Sequence, residues 1–399
     1  MNPFTPATIA PLAQQFGTPL WIYDADTITR QIAALQLFDV VRFAQKANSN
    51  THILRLMKRQ GVVVDSVSLG EIERALASGF TPGLHNGHAD IVFTADLLDR
   101  ATLARVVELN IPVNCGSMDM LDQLGAVNPG HPVWLRINPG FGHGHSKKTN
   151  TGGEYSKHGI WHGDLVRACE KIKSNGLALQ GLHMHIGSGV DYAHLQEVCG
   201  AMLKLVEVVN AQGLDLHAIS AGGGLSVPYQ AGEPTIDTAH YFSLWDAVRH
   251  AVEQLLEHPV KLEIEPGRYL MAESGVLVTE VRATKQQGAN HFVMVDAGFS
   301  DLVRPALYGA YHGMELIHSD GTAVNGLQFD TVVAGPLCES GDVFTQGDGG
   351  VVLHRSLPQA QVGDLLVLHD TGAYGASMSS NYNARPLIAE VLMENGEPR

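Results

Sequence analysis

The sequence predicts an α/β protein, a (β/α)8 barrel followed by an antiparallel β domain that also takes a strand from the N-terminal segment. Three observations carry this expectation. Between residues 40 and 265, eight short, mostly β-branched apolar runs alternate with segments of helical periodicity. Beyond about residue 276 the chain changes to strand-like runs separated by Gly, Asp and Asn. The run TPLWIYD (18–24) is strand-like yet precedes the first helix of the series, so it is available to the later sheet.

The eight runs are VVRFA (40–44), VVVDSV (62–67), DIVFT (90–94), IPVNC (111–115), PVWLRI (132–137), LQGLHMHI (179–186), LHAIS (216–220) and VKLEIE (260–265). Eight such strands alternating with helices point to a parallel sheet. LGEIERALAS after the second run and TLARVVEL after the third have the helical spacing that parallel crossovers need. Closed on itself the series is a barrel; a doubly wound open sheet is the alternative. GVLVTEV, HFVMVD, DTVVAG and DLLVLHD have few helical stretches between them and suit antiparallel pairing. The expected division is a barrel over 27–275 and a β domain over 1–26 and 276–399.

With 399 residues, 45% hydrophobic and 17% charged, the chain is able to bury a large core, and its composition argues against disorder. The formal net charge of −15 argues against a nucleic-acid surface, which needs clustered Lys and Arg to neutralise phosphates. Small molecules are the expected partners. Cys115, Cys169, Cys199 and Cys338 lack CxxC spacing, so neither a zinc knuckle nor a disulfide framework is expected. The first residues have no basic stretch leading into an apolar core, and no apolar run reaches the roughly 18 residues of a membrane span. A cytoplasmic protein is expected, off any membrane.

The chemistry-bearing residues fall at the C-terminal ends of the expected strands, the rim where barrel enzymes assemble their sites. Lys46 follows the first run, His183 and His185 end the sixth, Gly222 to Gly224 follow the seventh, and EPGR (265–268) closes the eighth. An amine at such a rim is a candidate nucleophile, although a lysine after a strand is more often a solvated loop residue. GGGL offers successive backbone N–H groups with no side chain in the way, which suits a phosphate or, equally, a tight turn. His183 and His185 are two apart and share one face of a strand. They raise a rival reading, a metal-dependent barrel hydrolase, but only Glu265 is placed to extend the ligand set and no metal is expected. Glu265 lies on a mostly apolar strand and must be paired, because a lone buried carboxylate is costly. Arg268 is its expected structural partner; a basic ring nitrogen of a ligand is the functional one. The histidines of the 141–162 loop are irregularly spaced and read as lid or solvated residues.

Seven motifs, FAQKANSN, DSVSLGEIERAL, HMHIGSG, AGGGLSVPY, EIEPGRYL, GPLCESGDVF and DTGAYGASMSSNYN, occur in this order over nearly the whole chain. Together they resemble those of the diaminopimelate decarboxylases, pyridoxal-phosphate enzymes of the alanine-racemase-like fold. The resemblance implies decarboxylation of meso-2,6-diaminopimelate to L-lysine and CO2, the last step of bacterial lysine biosynthesis. It implies that Lys46 joins the aldehyde of pyridoxal 5'-phosphate and that Gly222, Gly223 and Gly224, with Ser188 and the turn around Gly267, hold its phosphate. His185 matches the imidazole stacked on the ring, and Glu265 the carboxylate that keeps the ring nitrogen protonated. Tyr374 matches a contact to both cofactor and substrate, and Arg268 is assigned to both as well.

Arg268, Arg304 and Tyr308 resemble the residues that hold the distal carboxylate of the substrate, a task the planar guanidinium fork suits. The related ornithine and arginine decarboxylases take cationic tails, which two guanidiniums would repel; they have Asp after the matching Cys, where Glu339 follows Cys338 here. Cys338 is implied to protonate the carbanion, since an ordinary thiol is mostly protonated at neutral pH. Glu339 is implied to contact the distal amino group. Both are implied to act from the neighbouring subunit of a homodimer. The chain stops at LMENGEPR, earlier than the family's β domain is expected to run. Two alternatives stand beside this reading: a related pyridoxal-phosphate decarboxylase acting on another basic amino acid, and the metal-dependent hydrolase. A catalytically silent relative is disfavoured, because Lys46, Glu265, Cys338 and Tyr374 are all present.

Overall fold

The computed structural model describes residues 3–85, 87–142, 151–185, 187 and 192–399. It divides into two compact units, one of Arg30–Ser226 with Thr235–Gly267, the other of Met1–Thr29, Val227–Pro234 and Arg268–Arg399.

In the first unit all eight expected strands form: β1 Val40–Ala44, β2 Val63–Ser66, β3 Ile91–Ala95, β4 Val113–Cys115, β5 Pro132–Asn138, β6 Ala178–His183, β7 Ala218–Ser220 and β8 Lys261–Ile264. Each pairs in parallel with its neighbours, β4 joins β5, and β8 returns to β1. The sheet is therefore a closed barrel rather than an open doubly wound one. Burial explains the apolar runs: every residue of β5 is buried, as a strand covered on both faces must be. Across the β8–β1 seam, Arg42 donates from Nε and Nη2 to Glu263 Oε2 at 3.1 and 3.0 Å. The pair neutralises the first of the two alternate glutamates inside the core, and Ala89 takes a further guanidinium proton at its carbonyl, so neither charge is left unsatisfied.

Crossover helices start where the sequence supplies caps. Ser68 Oγ accepts the Glu71 N–H at 3.2 Å while Glu71 Oε2 accepts the Val67 N–H at 2.7 Å, a reciprocal arrangement that opens the helix Leu69–Ala77. Asp99 and Asp237 cap Arg100–Glu108 and Thr238–Leu256 with their carboxylates.

In the second unit the early strand Leu20–Asp24 lies in the later sheet, antiparallel to Gly275–Gln287 and parallel to Ala389–Glu394. A second parallel pairing joins Asn290–Val295 to Gln328–Ala334; the other pairings are antiparallel. Two-residue alternation marks a strand without encoding its direction, so the mixed character was not legible in the runs. Helix Pro6–Phe16 packs Ile9 and Leu12 into one core cluster with Leu20, Ile22, Val276 and Val367. Among the described residues no helix is long and apolar enough to cross a membrane.

Candidate active site

Lys46 stands on the single turn Gln45–Ala47 that leaves β1, and its side chain is exposed. The flanking amides fix that turn. Gln45 Nε2 donates to Ser66 Oγ at 2.6 Å, Asn48 Oδ1 accepts the Asn50 N–H at 2.9 Å, and Asn50 Oδ1 caps the helix Thr51–Arg59 through the His52 N–H. The Lys46 charge acts on Asp65, Glu71 and His185.

Register brings the next group together. His183 of β6 lies opposite Ser220 of β7, which lies opposite Glu263 of β8. Glu265, two residues on, then reaches both neighbours: His183 Nε2 is 2.7 Å from Oε2, and Ser220 Oγ donates to Oε1 at 3.2 Å. His183 Nδ1 is buried with no partner, so the ring keeps its proton on Nε2 and donates it to the carboxylate. The structural partners of Glu265 are thus His183 and Ser220 instead of the expected Arg268, because strand register already supplies two donors.

Two of the carboxyls inside this barrel, Glu265 and Asp65, are pushed apart. Burial pulls Glu265 upward, but His183 beside it and the more distant Arg42 outweigh burial and lower its pKa. Asp65, 3% exposed with Oδ1 buried and unpartnered, goes the other way: burial, then the Glu265 charge, raise its pKa well above the ordinary carboxylate value. The same closed barrel thus favours the anion at Glu265 and the protonated acid at Asp65.

The glycine run needs glycine. Gly222 and Gly224 have φ of 62° and 110°, and a Cβ at Gly223 would stand 2.5 Å from the Glu265 carbonyl oxygen. Gly223 N–H donates to His185 Nδ1 at 3.1 Å, which leaves His185 neutral with its proton on Nε2. Burial, then the charges of Lys46 and Arg136, hold the His185 pKa well below that of a free imidazole. Gly267 is buried in the turn after Glu265, where the Pro266 carbonyl accepts the Ala44 N–H and ties the turn to β1. Ser188 lies outside the described residues.

In the second unit Arg268 and Arg304 converge on one phenol. Arg268 Nη1 donates to Tyr229 Oη at 2.7 Å and Arg304 Nη1 at 3.2 Å, with the guanidinium carbons 5.7 and 4.9 Å from that ring centre. Arg268 also lies 5.2 Å from the centre of the Tyr374 ring. Arg304 Nη1 donates as well to His312 Nε2 at 3.1 Å; His312 Nδ1 is bonded to the His369 carbonyl, and burial with the Arg304 charge holds its pKa down to about 3. Among the described residues neither arginine meets a carboxylate. The result is a positive pair, Arg304 buried and Arg268 half-buried, with no carboxylate partner among the described residues and suited to an anion. Tyr308 ends the short helix Arg304–Tyr308, and Tyr374 sits at a φ of 59°. Tyr229 and His312 were not singled out from sequence, although Tyr229 ends the AGGGLSVPY motif.

Cys338 and Glu339 are both exposed, in the loop that follows Gln328–Ala334. Cys115, Cys169 and Cys199 are buried. Asn383 Oδ1 accepts the Cys338 N–H at 3.0 Å.

Residues 25–272 match the family model for the pyridoxal-dependent decarboxylase, pyridoxal binding domain. The diaminopimelate decarboxylase of Escherichia coli (strain K12) is 66% identical over 389 residues, 97% of this chain and 91% of that protein. The chain belongs to the diaminopimelate decarboxylases. A crystal structure of a diaminopimelate decarboxylase, 66% identical, matches with a TM-score of 0.94 over 98% of this chain and 92% of that one. The Helicobacter pylori diaminopimelate decarboxylase complexed with L-lysine, 31% identical, matches with a TM-score of 0.86 over 98% and 94%.

The barrel residues of this diaminopimelate decarboxylase fit pyridoxal phosphate. They include an exposed amine for an aldehyde, a run where a side chain would collide with backbone, a neutral imidazole and a carboxylate kept anionic.

Proposed function

We propose that the chain binds pyridoxal 5'-phosphate and removes the D-centre carboxylate of meso-2,6-diaminopimelate as CO2, releasing L-lysine. The observation that carries the reading is the pairing of His183 with Glu265 at the barrel rim that also bears Lys46 and the Gly222–Gly224 run. Lys46, His185, Ser188, Gly222, Gly223, Gly224, Glu265, Gly267, Arg268 and Tyr374 are assigned to the cofactor. When bound, the cofactor supplies an electron-poor ring that takes up the electron pair left by CO2.

Glu265, kept anionic, would accept a hydrogen bond from the protonated ring nitrogen and so favour that protonated form. Lys46 Nζ is the amine that would hold the cofactor through its aldehyde. The neutral His185 ring, locked by the Gly223 N–H, would offer the cofactor ring a flat face that adds no charge. Arg268, Arg304, Tyr308 and Tyr374 orient the substrate, the guanidiniums binding its distal carboxylate. Cys338 Sγ delivers a proton to the α carbon and Glu339 binds the distal ammonium, each in the site of a second copy of the chain within a homodimer.

The test is the reaction itself. Meso-diaminopimelate with the purified chain and cofactor yields equal amounts of CO2 and L-lysine, while ornithine and arginine yield neither. Release of CO2 from ornithine or arginine, and none from diaminopimelate, overturns the roles of Arg268 and Arg304.

A further inference from the structure

At the N-terminal ends of the barrel strands, away from the Lys46 rim, Asp215 and His217 precede β7 and His258 precedes β8. The backbone there is pinned: His217 N–H donates to the Gln180 carbonyl and its own carbonyl accepts the Lys261 N–H, both at 2.9 Å. One donor atom from each of Asp215, His217 and His258 lies within 4.8 Å of the other two. The His217 and His258 rings are 5.6 Å apart, centre to centre.

The His258 ring has an acceptor at each nitrogen, the Pro259 carbonyl 3.0 Å from Nδ1 and Asp215 Oδ1 2.7 Å from Nε2. A neutral imidazole has one N–H, so one acceptor is served only if a cation, proton or metal, stands in between. With Nδ1–H on the Pro259 carbonyl, the Nε2 lone pair aims at the carboxylate, the orientation in which a backbone carbonyl fixes a metal-binding imidazole.

We propose that Asp215, His217 and His258 form a binding site for one divalent transition-metal ion of the zinc class, with water completing a tetrahedron. Two imidazoles and a carboxylate are a zinc-type donor set, whereas calcium and magnesium take oxygen ligands. Tetrahedral bonds of about 2.0–2.1 Å put ligand atoms roughly 3.3 Å apart. The three donor atoms now lie within 4.8 Å of one another, on two exposed side chains and one half-buried ring, and Asp215 Oδ1 also accepts the Leu216 N–H at 2.8 Å, a bond that metal ligation would share or replace. An ion there clips the segment before β7 to the segment before β8.

The experiment titrates metal-stripped holoenzyme with Zn2+ in a calorimeter and with Co2+ by visible absorption. One equivalent binds, and Zn2+ raises the melting temperature because it binds the folded chain. His217→Ala, His258→Ala and the near-isosteric Asp215→Asn each weaken binding by more than about tenfold, the lower end of what even an orienting partner costs, and leave decarboxylase activity unchanged. The chain holds 20 histidines, so adventitious binding is the alternative. No saturable binding to the parent chain, or binding that survives all three substitutions, overturns the proposal.

Discussion

His183 Nε2 stands 2.7 Å from Glu265 Oε2, and the other ring nitrogen of His183 is buried without a partner. The imidazole is therefore a dedicated donor that keeps the carboxylate charged. Glu265→Gln is expected to cut turnover roughly 100-fold or more, in line with removing a preorganised electrostatic partner, while cofactor affinity measured by absorbance changes far less. His183→Ala is expected to raise the Glu265 pKa, so the acid limb of the kcat–pH profile moves to higher pH. Equal losses in turnover and cofactor binding would contradict this division of labour.

Asp65 gives a pH effect of defined sign. Its folded pKa lies above the unfolded value of about 3.9, so the native chain holds a proton that the unfolded chain has released. This contribution to stability is fully present below about pH 3.9 and is lost as pH rises toward the folded pKa. Asp65→Asn removes the loss. Thermal melts of the cofactor-free chain are expected to show the variant more stable than the parent at about pH 8, with the advantage shrinking toward about pH 4. A variant less stable at the higher pH would mean that Asp65 is ionised and paired.

Tyr229 serves both Arg268 and Arg304 with one hydroxyl. Tyr229→Phe leaves guanidinium protons of the buried Arg304 and half-buried Arg268 without that acceptor, at a cost of about 1–3 kcal/mol in denaturant unfolding. The arginines also lose their common anchor, so KM for diaminopimelate rises more than kcat falls. Unchanged KM would remove the phenol from substrate recognition.

Exposure makes Cys338 a clean probe, because substitution there leaves no cavity. Cys338→Ala is expected to change stability by no more than about 0.5 kcal/mol while turnover falls sharply. Mixing it with Lys46→Ala, itself inactive, restores activity if two copies exchange these residues across a dimer. No recovery after subunit exchange, confirmed by sedimentation of a mixed dimer, would place Cys338 outside a shared site.

The barrel was legible because its strands are buried on both faces, so VVRFA or PVWLRI reads as one apolar run whatever surrounds it. Lys46 and the Gly222–Gly224 run were legible because strand ends define a rim. The His183–Glu265 bond was not: the residues are 82 positions apart and meet only when β6, β7 and β8 align in register. Asp65 interrupts VVVDSV as a charge in an apolar run, a signal that was present, yet its raised pKa comes first from burial and then from the charge of Glu265, both of which only barrel closure supplies. Pairing directions in the second sheet stayed hidden because alternation carries no direction.

The most direct test of the account is borohydride reduction of the purified chain with pyridoxal phosphate, followed by digestion and mass spectrometry. The cofactor mass is expected on the peptide carrying Lys46, and Lys46→Ala neither retains label nor releases CO2 from diaminopimelate. Label on another lysine, or a Lys46→Ala chain that still decarboxylates, would contradict the assignment of the barrel rim as the seat of the chemistry.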